Sequence, residues 1–364
     1  MPGLFIGLMS GTSLDGIDAV AATFDGDGGP QLLHSHYQPF EPFLRDELLQ
    51  LQAPCDNELH RAAVAANQLS RAYASAVKTL LTKASLNAPD VEAVGCHGQT
   101  VRHRPDAGYT TQLVNAALLA ELTGITVVND FRSRDIAAGG QGAPLLPALH
   151  RRLFHSANEH RVIVNIGGIA NITNLPARGV VTGFDCGPGN ALMDEWISTH
   201  RGKPYDQDGA WAATGAMLPR LFNDLFLAEY FSLSPPKSTG RDWFNLAWLQ
   251  AALKGDERPQ DVQATLLELT AQGITQAIKK YCAGAQAVFV CGGGAHNRTL
   301  IARLVALLPE QRVADTGALG LHADWVEALA FAWFARQALL REPGNLPEVT
   351  GAKGPRILGA IYPA

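Results

Sequence analysis

The stretch from Ile6 to Val20 reads IGLMSGTSLDGIDAV, and it sets the interpretation of the whole fold. Apolar residues on either side predict two strands, at 3–8 and 17–24. Glycines in the turn between them allow a ligand to approach the backbone closely. Successive backbone N–H groups with Ser and Thr hydroxyls form an anion-binding concavity, and Mg²⁺ favours one or two carboxylates plus phosphate oxygens. The turn therefore predicts a site for Mg-nucleotide phosphates, although a tight hairpin with side chain-to-backbone hydrogen bonds would use the same residue types.

Composition limits the class of protein. The chain has 364 residues, 47% of them hydrophobic and 17% charged, which predicts a globular protein of two domains. A net charge of −5 argues against nucleic acid or an anionic membrane as the main partner. No apolar run approaches the ~20 residues that a membrane span needs. No basic residue precedes Arg45, which predicts no signal peptide, and unpaired, widely spaced cysteines favour reduced thiols in the cytoplasm.

Strands and helices alternate along the first half, which favours an α/β sheet. The predicted elements are a helix over 57–86, a strand at 91–96, a helix over 115–123 and a strand at 125–128. The glycine-rich segment 137–147 breaks this pattern, and we interpret it as the crossover between two halves. The predicted domains are therefore 1–140 and 141–364.

The second half begins as the first half does. The segment 161–175, RVIVNIGGIANITNL, again has a strand, a glycine turn and a second strand. The later predicted elements are a strand at 180–190 ending in a Gly-Pro-Gly turn, a helix after it, a strand at 287–297 running into three glycines, a helix from Arg298 and an apolar helix over 324–340. This repetition favours two related α/β domains that face each other across a cleft. Neither a P-loop nor a dinucleotide-binding G-x-G-x-x-G occurs, and no zinc motif is present.

A series of motifs stands in order along almost the whole chain: GLMSGTSLDGIDAV, HGQTVRHRP, NDFRSRDIAAGGQGAPLLP, VNIGGIANIT, GFDCGPGNALMDEW, KSTGRDWFN, VCGGGAHN and PGNLPEVTGA. From Phe5 to Pro363 the chain resembles the anhydro-N-acetylmuramic acid kinases, which belong to the superfamily of acetate and sugar kinases, heat-shock ATPases and actin. The resemblance leads us to expect arginine where His296 stands, so one contact near the nucleotide is expected to differ.

The resemblance implies two related actin-like, ribonuclease-H-like ATPase domains that face a central nucleotide cleft. It implies ATP-dependent opening of 1,6-anhydro-N-acetylmuramic acid by water, with phosphorylation of O6 to give N-acetylmuramic acid 6-phosphate and ADP in peptidoglycan recycling. ATP and Mg²⁺ are the implied cofactors, and a cytoplasmic homodimer is the implied state. The alternatives are a related sugar kinase with another alcohol substrate and a non-catalytic ATPase switch of the actin type. The polar segment KSTGRDWFN favours a small-molecule enzyme, because a filament protein would need exposed apolar patches there.

The expected ATP contacts are concentrated in the three glycine turns. They are Gly11, Thr12, Ser13, Leu14, Asp15, Gly16, Ile17, Asp18, Gly167, Gly168, Asn171, Gly292, Gly293, Gly294 and Asn297. The sequence does not choose between Asp15, Asp18 and neither as the magnesium ligand.

Asp185 is the candidate general base. Opening the sugar bridge requires a group that takes a proton from the attacking water, and ordinary glycosidases use a second carboxyl group as the acid. A phosphoryl group that captures the leaving oxygen could replace that acid, so one carboxylate would suffice. Asp185 ends a predicted strand, and the resemblance assigns it the same role. The alternative interpretation is an aspartate that caps the helix starting near Asn190.

The candidate sugar contacts follow predicted strand ends, where α/β sheets place their ligands. Arg132 suits the lactyl carboxylate of the sugar as a forked donor. His97 and Gln99 suit its neutral polar groups, and Glu327 could accept from a sugar N–H or O–H. The neighbouring residues Arg102, His103 and Arg104 are alternatives to these contacts.

Overall fold

The computed structural model describes residues 3–11, 13–24, 29–241 and 243–364. The chain divides into a first unit, Met1–Leu153 with Trp325–Ala364, and a second unit, Phe154–Asp324. This division differs from the predicted domains 1–140 and 141–364, because the chain returns to the first unit for its last helices. The segment 137–147, expected to be a crossover, lies inside the first unit.

The bounds of the elements follow the order of the chain. The strands are β1 (Gly3–Met9), β2 (Gly16–Phe24), β3 (Pro30–Pro39), β4 (Val91–Cys96), β5 (Gln99–Arg104), β6 (Tyr109–Leu113), β7 (Val127–Asn129), β8 (Arg161–Ile166), β9 (Ile169–Leu175), β10 (Thr182–Pro188), β11 (Ala287–Cys291), β12 (Arg312–Asp315) and β13 (Ala360–Tyr362). The α-helices are α1 (Pro42–Gln50), α2 (Glu58–Ala84), α3 (Ala116–Thr123), α4 (Ser133–Ala137), α5 (Leu146–Phe154), α6 (Ala191–Arg201), α7 (Pro219–Phe226), α8 (Glu229–Ser232), α9 (Leu246–Ala252), α10 (Pro259–Tyr281), α11 (Arg298–Leu307), α12 (Val326–Leu339) and α13 (Pro347–Thr350).

The sheets of the two units share one topology. The first unit has a 6-stranded sheet in the order β13-β7-β4-β1-β2-β3, and the second has a 5-stranded sheet in the order β10-β9-β8-β11-β12. In each, the first strand pairs antiparallel with the second and parallel with the fourth, and the second and third are antiparallel. The expected α/β class and the expected repetition of one domain architecture are therefore confirmed.

Helix α12 covers the sheet of the first unit and is buried along most of its length. A helix that is apolar on all sides belongs in a core. It lies close to the sheet because Gly7 of β1 and Gly95 of β4 have no side chains. A Cβ at Gly7 would collide with the carbonyl of Ala328, and one at Gly95 with the carbonyl of Phe331. The predicted helix over 324–340 is thus present, but it completes the first unit rather than the second.

Helix α10 crosses the core of the second unit, where it contacts α6, α7, α11, β9 and β10. The sequence analysis did not predict this helix, nor the two-stranded β5–β6 sheet of the first unit. Across the residues described, none of the helices has both the length and the apolar character required to cross a membrane.

Candidate functional site

The turn between β1 and β2 is fixed to the segment that follows β4. Ser10 Oγ lies 2.6 Å from the Tyr73 hydroxyl and donates to the Gly98 carbonyl at 3.2 Å. Gln99 Nε2 donates to the Gly11 carbonyl at 3.1 Å. The other end of that amide, Oε1 of Gln99, is buried and has no hydrogen-bond partner among the described residues. Gln99 therefore holds the turn with one atom and leaves an acceptor for a ligand or water with the other.

Asp15 shapes this turn through its carboxylate. Its Oδ1 accepts from Ser13 Oγ at 2.6 Å and from the Gly16 backbone N–H at 3.1 Å. Leu14 has φ 57°, and its side chain is buried. Only the backbone of Leu14 is therefore suited to a phosphate contact. Thr12, which was expected to bind ATP, lies outside the described residues.

Ile17 and Asp18 begin β2 and alternate across the sheet. Ile17 is buried in the core of the first unit, so its expected contact with ATP is limited to the backbone. Asp18 is half-buried and pairs in register with Met9 of β1, at the end of the sheet that carries the turn.

Gly11 and Gly16 are glycines for different reasons. A Cβ at Gly16 would collide with the backbone of Gln38 and Pro39 on β3. A Cβ at Gly11 would meet only the Ser13 hydroxyl oxygen at 3.7 Å and a Met9 methyl carbon at 3.9 Å, which are ordinary contacts. The packing of the described residues therefore requires glycine at position 16 and not at position 11. A bare backbone at position 11 suits the close approach of a ligand.

Changing Gly11 to valine should weaken ATP binding by roughly tenfold or more, equivalent to about 1.4 kcal/mol. The added side chain would occupy the space in which phosphates approach the backbone, while its Cβ would make only ordinary contacts with the described residues. Calorimetric titration with a non-hydrolysable ATP analogue measures this effect. Gly29→Val is the matched control, because among the described residues no atom beyond its chain neighbours lies within 4 Å of a Cβ at Gly29. Unchanged nucleotide affinity in a folded Gly11→Val protein would contradict the proposed phosphate turn.

His97 and Arg132 form one interacting pair. Arg132 donates to His97 Nε2 from Nε at 3.2 Å and from Nη2 at 3.0 Å, and its Nη1 donates to the Gly142 carbonyl at 2.8 Å. His97 is buried, and its ring centroid lies 4.8 Å from that of Phe331. Burial, aided by the charge of Arg132, lowers the pKa of His97 to about 3. His97 is therefore neutral at neutral pH and orients the guanidinium by accepting from it.

The free energy of unfolding should fall as pH falls below 6.5. Burial lowers the pKa of His97 and His150 from 6.5 to about 3, and that of His103 to about 4. Unfolding restores the ordinary pKa, so the unfolded chain binds more protons in this range and stability rises with pH. Each such proton contributes roughly 1.4 kcal/mol per pH unit. Urea unfolding between about pH 4.5 and 6.5 measures the slope of the free energy of unfolding against pH. His103→Gln should reduce that slope by the amount that corresponds to about one proton taken up on unfolding. A flat profile would contradict the neutral, buried state of these residues.

Two of the three alternative sugar contacts in VRHRP, Arg102 and Arg104, are paired with carboxylates. Arg102 forms an ion pair with Glu58 at 2.6 Å and donates to backbone carbonyls, including that of Val101 at 2.8 Å. Arg104 forms an exposed ion pair with Asp106 at 2.7 Å. His103 Nδ1 lies 3.1 Å from the Thr110 hydroxyl. The two ion pairs favour Arg132 over Arg102 and Arg104, whereas His103 Nε2 is buried with no hydrogen-bond partner among the described residues and stays an alternative sugar contact.

Glu327 lies in the first turn of α12 and is half-buried. It belongs to the same unit as His97, Gln99 and Arg132. The four residues expected to contact the sugar thus come from segments of the first unit that are distant in sequence.

Asp185 lies on β10 in the second unit, and segment 237–239 holds it in place. Its carboxylate Oδ2 accepts from the Thr239 backbone N–H at 2.9 Å, and its own N–H donates to the Lys237 carbonyl at 3.2 Å. The Tyr230 hydroxyl donates to the Asp185 carbonyl at 2.7 Å. Helix α6 has Asn190 as its N-cap with no side-chain capping bond. The capping interpretation of Asp185 is therefore wrong.

Lys237 supports Asp185 from inside the fold. Its Nζ donates to the Tyr230 carbonyl at 3.0 Å and lies 4.5 Å from the centre of the Tyr230 ring. Burial lowers the pKa of Lys237, and the nearby acidic groups, Asp185 among them, oppose that shift. Residues 237–239, which begin the segment KSTGRDWFN, thus contact Asp185 and are not simply part of a polar insert. Sequence reasoning missed Tyr230, Lys237 and Thr239, although the motif that contains the last two had been identified.

The second glycine turn, between β8 and β9, accepts hydrogen bonds from the start of α6. The Gly167 carbonyl accepts from the Asn190 N–H at 2.8 Å, and the Gly168 carbonyl accepts from the Gly189 N–H at 2.9 Å. Asn171 follows on β9, directly opposite Asp185 in the β9–β10 ladder. Its Oδ1 is buried and has no hydrogen-bond partner among the described residues. This acceptor lies beside the candidate base and is suited to a ligand or a water.

The three glycines after β11 are not equivalent. Gly292 has φ 76° and packs on the Ile166 backbone, and a Cβ at Gly294 would collide with the Ile166 side chain. A Cβ at Gly293 would meet only an Asn190 side-chain nitrogen at 3.7 Å. Gly293 is therefore the one whose bare backbone is best explained by a ligand. Asn297 caps α11 by accepting from the Leu300 N–H at 3.0 Å, so packing and capping account for its side chain.

His296, which stands where arginine was expected, pairs with an aspartate. Its Nε2 lies 2.6 Å from Asp324 Oδ1, and the centroid of its ring is 6.1 Å from that of His322. In the part of the chain that the structure describes, no group of three or more His, Cys, Asp or Glu residues is arranged to hold a metal ion. A metal that binds here would therefore depend on ligand oxygens as well as on protein carboxylates.

Comparison with known proteins gives one consistent family. Residues 3–364 match the family described as anhydro-N-acetylmuramic acid kinase. The anhydro-N-acetylmuramic acid kinase of Nitrosospira multiformis is 59% identical over 362 residues, with 99% of each chain covered, and that of Nitrosomonas europaea is 58% identical over the same coverage. Among solved structures, the activator of the 2-hydroxyisocaproyl-CoA dehydratase from Clostridium difficile has a TM-score of 0.47 at 12% identity, covering 93% of this chain and 96% of that one. The match over almost the full length, at these identities, shows that the chain belongs to the anhydro-N-acetylmuramic acid kinase family.

Proposed function

We propose that this chain converts 1,6-anhydro-N-acetylmuramic acid, ATP and water into N-acetylmuramic acid 6-phosphate and ADP. The proposal depends on one observation, the burial and hydrogen bonding of the Asp185 carboxylate, in a chain that belongs to this kinase family. This carboxylate is buried inside β10, not at the end of the strand as expected from the sequence, and the Thr239 N–H fixes one of its oxygens. A fixed, largely desolvated carboxylate is suited to act as a general base.

The proposed reaction balances through a single leaving oxygen. Asp185 takes a proton from water as the water oxygen forms a bond to the anomeric carbon of the sugar. The bond between that carbon and O6 breaks, and O6 forms a bond to the γ-phosphorus of ATP. The bond between that phosphorus and the β,γ-bridging oxygen breaks, and ADP leaves with the electron pair. The phosphoryl group thus does for O6 what a second carboxyl group does in an ordinary glycosidase.

The first unit is proposed to recognise the sugar. The Arg132 guanidinium, held by His97, would bind the lactyl carboxylate, since guanidinium–carboxylate bonds are strong and directional. The unpartnered Oε1 of Gln99 would accept from a sugar hydroxyl or amide. Glu327 would provide a second acceptor.

The glycine turns are proposed to bind ATP, with the backbone at Gly11 and Gly293 approached most closely. Asp15 and Asp18, the two carboxylates at the turn between β1 and β2, are the candidates for binding Mg²⁺ or its waters. Carboxylate oxygens beside a phosphate turn fit the ligand preference of Mg²⁺. When bound, the ion would neutralise charge on the phosphate oxygens.

A coupled ADP assay with a panel of anhydro and reducing amino sugars tests this function. ADP release should depend on 1,6-anhydro-N-acetylmuramic acid, and phosphorus NMR should show a 6-phosphate of the ring-opened sugar. Turnover with a different alcohol and not with this sugar would favour the related sugar-kinase alternative. Nucleotide-dependent assembly without sugar-stimulated turnover would favour the actin-type switch.

A homodimer, a cytoplasmic location and a part in peptidoglycan recycling complete the proposal. Sedimentation equilibrium of the purified chain tests the first of these, and a single species of 38.8 kDa at all concentrations would contradict it.

A further inference from the structure

The carboxylate of Asp135 is fully buried in the first unit, in α4, and has three described donors, all of them neutral. Oδ1 accepts from Asn345 Nδ2 at 2.7 Å and from the Thr350 hydroxyl at 2.8 Å. Oδ2 accepts from the Gly142 backbone N–H at 2.8 Å. A buried carboxylate is costly unless it is well hydrogen-bonded, so a cluster of this kind needs a reason.

The same cluster fixes a glycine-rich loop, residues 138–142. Gly139 and Gly142 have φ values of 86° and 67°, a backbone conformation that glycine adopts without strain. Because glycine adopts other conformations as readily, contacts from outside the loop are needed to hold this one. The C-terminal segment PGNLPEVTGA, which contributes Asn345 and Thr350 to the cluster, also binds the loop through its backbone, since the Gln141 N–H donates to the Thr350 carbonyl at 2.8 Å. The Lys353 N–H likewise donates to the Ala138 carbonyl at 2.9 Å.

The loop in turn holds Arg132. The N–H of Gly142 donates to Asp135, and the carbonyl of the same residue accepts from Arg132 Nη1 at 2.8 Å. The Nε and Nη2 atoms of the same guanidinium donate to His97 Nε2. Arg132 is therefore oriented from two sides, by His97 on one and by the Asp135 cluster through Gly142 on the other.

We propose that Asp135, with Asn345 and Thr350, is a positioning residue that orients the Arg132 guanidinium for the anionic group of the sugar. This rests on the proposed role of Arg132 as a sugar contact. It also gives a role to two motifs, the glycine-rich segment after Arg132 and the C-terminal PGNLPEVTGA, that the binding and chemical steps do not otherwise use.

Thr350→Val is the most informative variant, because it keeps the shape and removes one of three donors while Asn345 still satisfies Oδ1. It should raise the KM for the sugar about three- to tenfold, which is less than the full cost of losing a hydrogen bond to a charged group, because Thr350 acts on the sugar only through Arg132. The kcat and the KM for ATP should change little. Asp135→Asn should raise the sugar KM further, because the NH₂ group of the asparagine would face groups that themselves donate hydrogen bonds to this position. Thr123→Val is the matched control: it removes a hydroxyl of the same unit that donates to the Leu119 carbonyl at 2.8 Å, away from Arg132.

A double-mutant cycle separates positioning from general stability. In an Arg132→Met background, Thr350→Val should have almost no further effect on the sugar dissociation constant, measured by calorimetry, because the group it orients is gone. If the losses of sugar affinity caused by Thr350→Val and Arg132→Met were additive, the positioning role would be overturned. The same holds if Thr350→Val left the sugar KM unchanged while Arg132→Met raised it clearly. Neither result would contradict the proposed sugar contact of Arg132. An Arg132→Met protein with wild-type sugar affinity would overturn the proposed sugar contact itself.

Discussion

Replacing Asp185 with asparagine should lower turnover by ~10²–10⁴-fold, while the affinities for ATP and sugar change little. The asparagine carbonyl can still accept from the Thr239 N–H, so the local structure is kept, but the amide cannot take a proton from water. Bridge opening and phosphoryl transfer should be lost together, since both proceed through O6. Single-turnover assays that follow ring opening and ADP release in parallel measure the two events.

The route of the water oxygen provides an independent check on that mechanism. In water labelled with heavy oxygen, the label should appear at the anomeric carbon of the product and not in its phosphate. Asp224→Asn is a matched control, because Asp224 is an exposed carboxylate paired with Arg220 at 2.7 Å on α7. Label in the phosphate would show simple ATP hydrolysis. Retained phosphorylation in Asp185→Asn would mean that another group is the base, with Glu327 the next candidate.

Changing Gly7 or Gly95 to alanine should destabilise the protein by about 3 kcal/mol or more, beyond the usual cost of a single added methyl. In each case the new Cβ would collide with a backbone carbonyl of α12, which a rotamer change cannot relieve. The helix would have to move away from β1 and β4, and its apolar contacts would loosen. Urea unfolding of the purified variants measures the loss, and accumulation in the insoluble fraction is the expected outcome if it is larger.

Gly29→Ala is the control for these two variants, because none of the residues that the structure describes, its chain neighbours aside, has an atom within 4 Å of the added Cβ. It should unfold at nearly the same urea concentration as the unchanged protein. Gly7→Ala or Gly95→Ala proteins as stable as Gly29→Ala would show that α12 does not lie against the sheet as described.

The sequence predicted most of the chemistry-bearing positions because they lie in short motifs at strand ends. The hairpins at 3–24 and 161–175, the strand that contains Asp185 and the glycines at 292–294 are all found in the predicted elements, although Asp185 lies inside β10 and not at its end as expected. Local rules are sufficient there, since strand periodicity and turn residues act over a few neighbours. The supporting residues were not predictable in this way. Thr239 meets Asp185 across 54 positions of sequence, and Thr350 meets Asp135 across 215.

The sequence by itself determined the α/β class, the repeated strand–turn–strand opening of each half and the family resemblance. Local propensity, apolar periodicity and motif order carry that information. Only the tertiary structure decided that the C-terminal helix α12 completes the first unit, and that Gly16, Gly292 and Gly294 are required by packing while Gly11 and Gly293 are not. The physical reason is that a glycine has the same sequence signature whether a neighbouring backbone or a ligand needs the space, and only the packed neighbours distinguish the two cases.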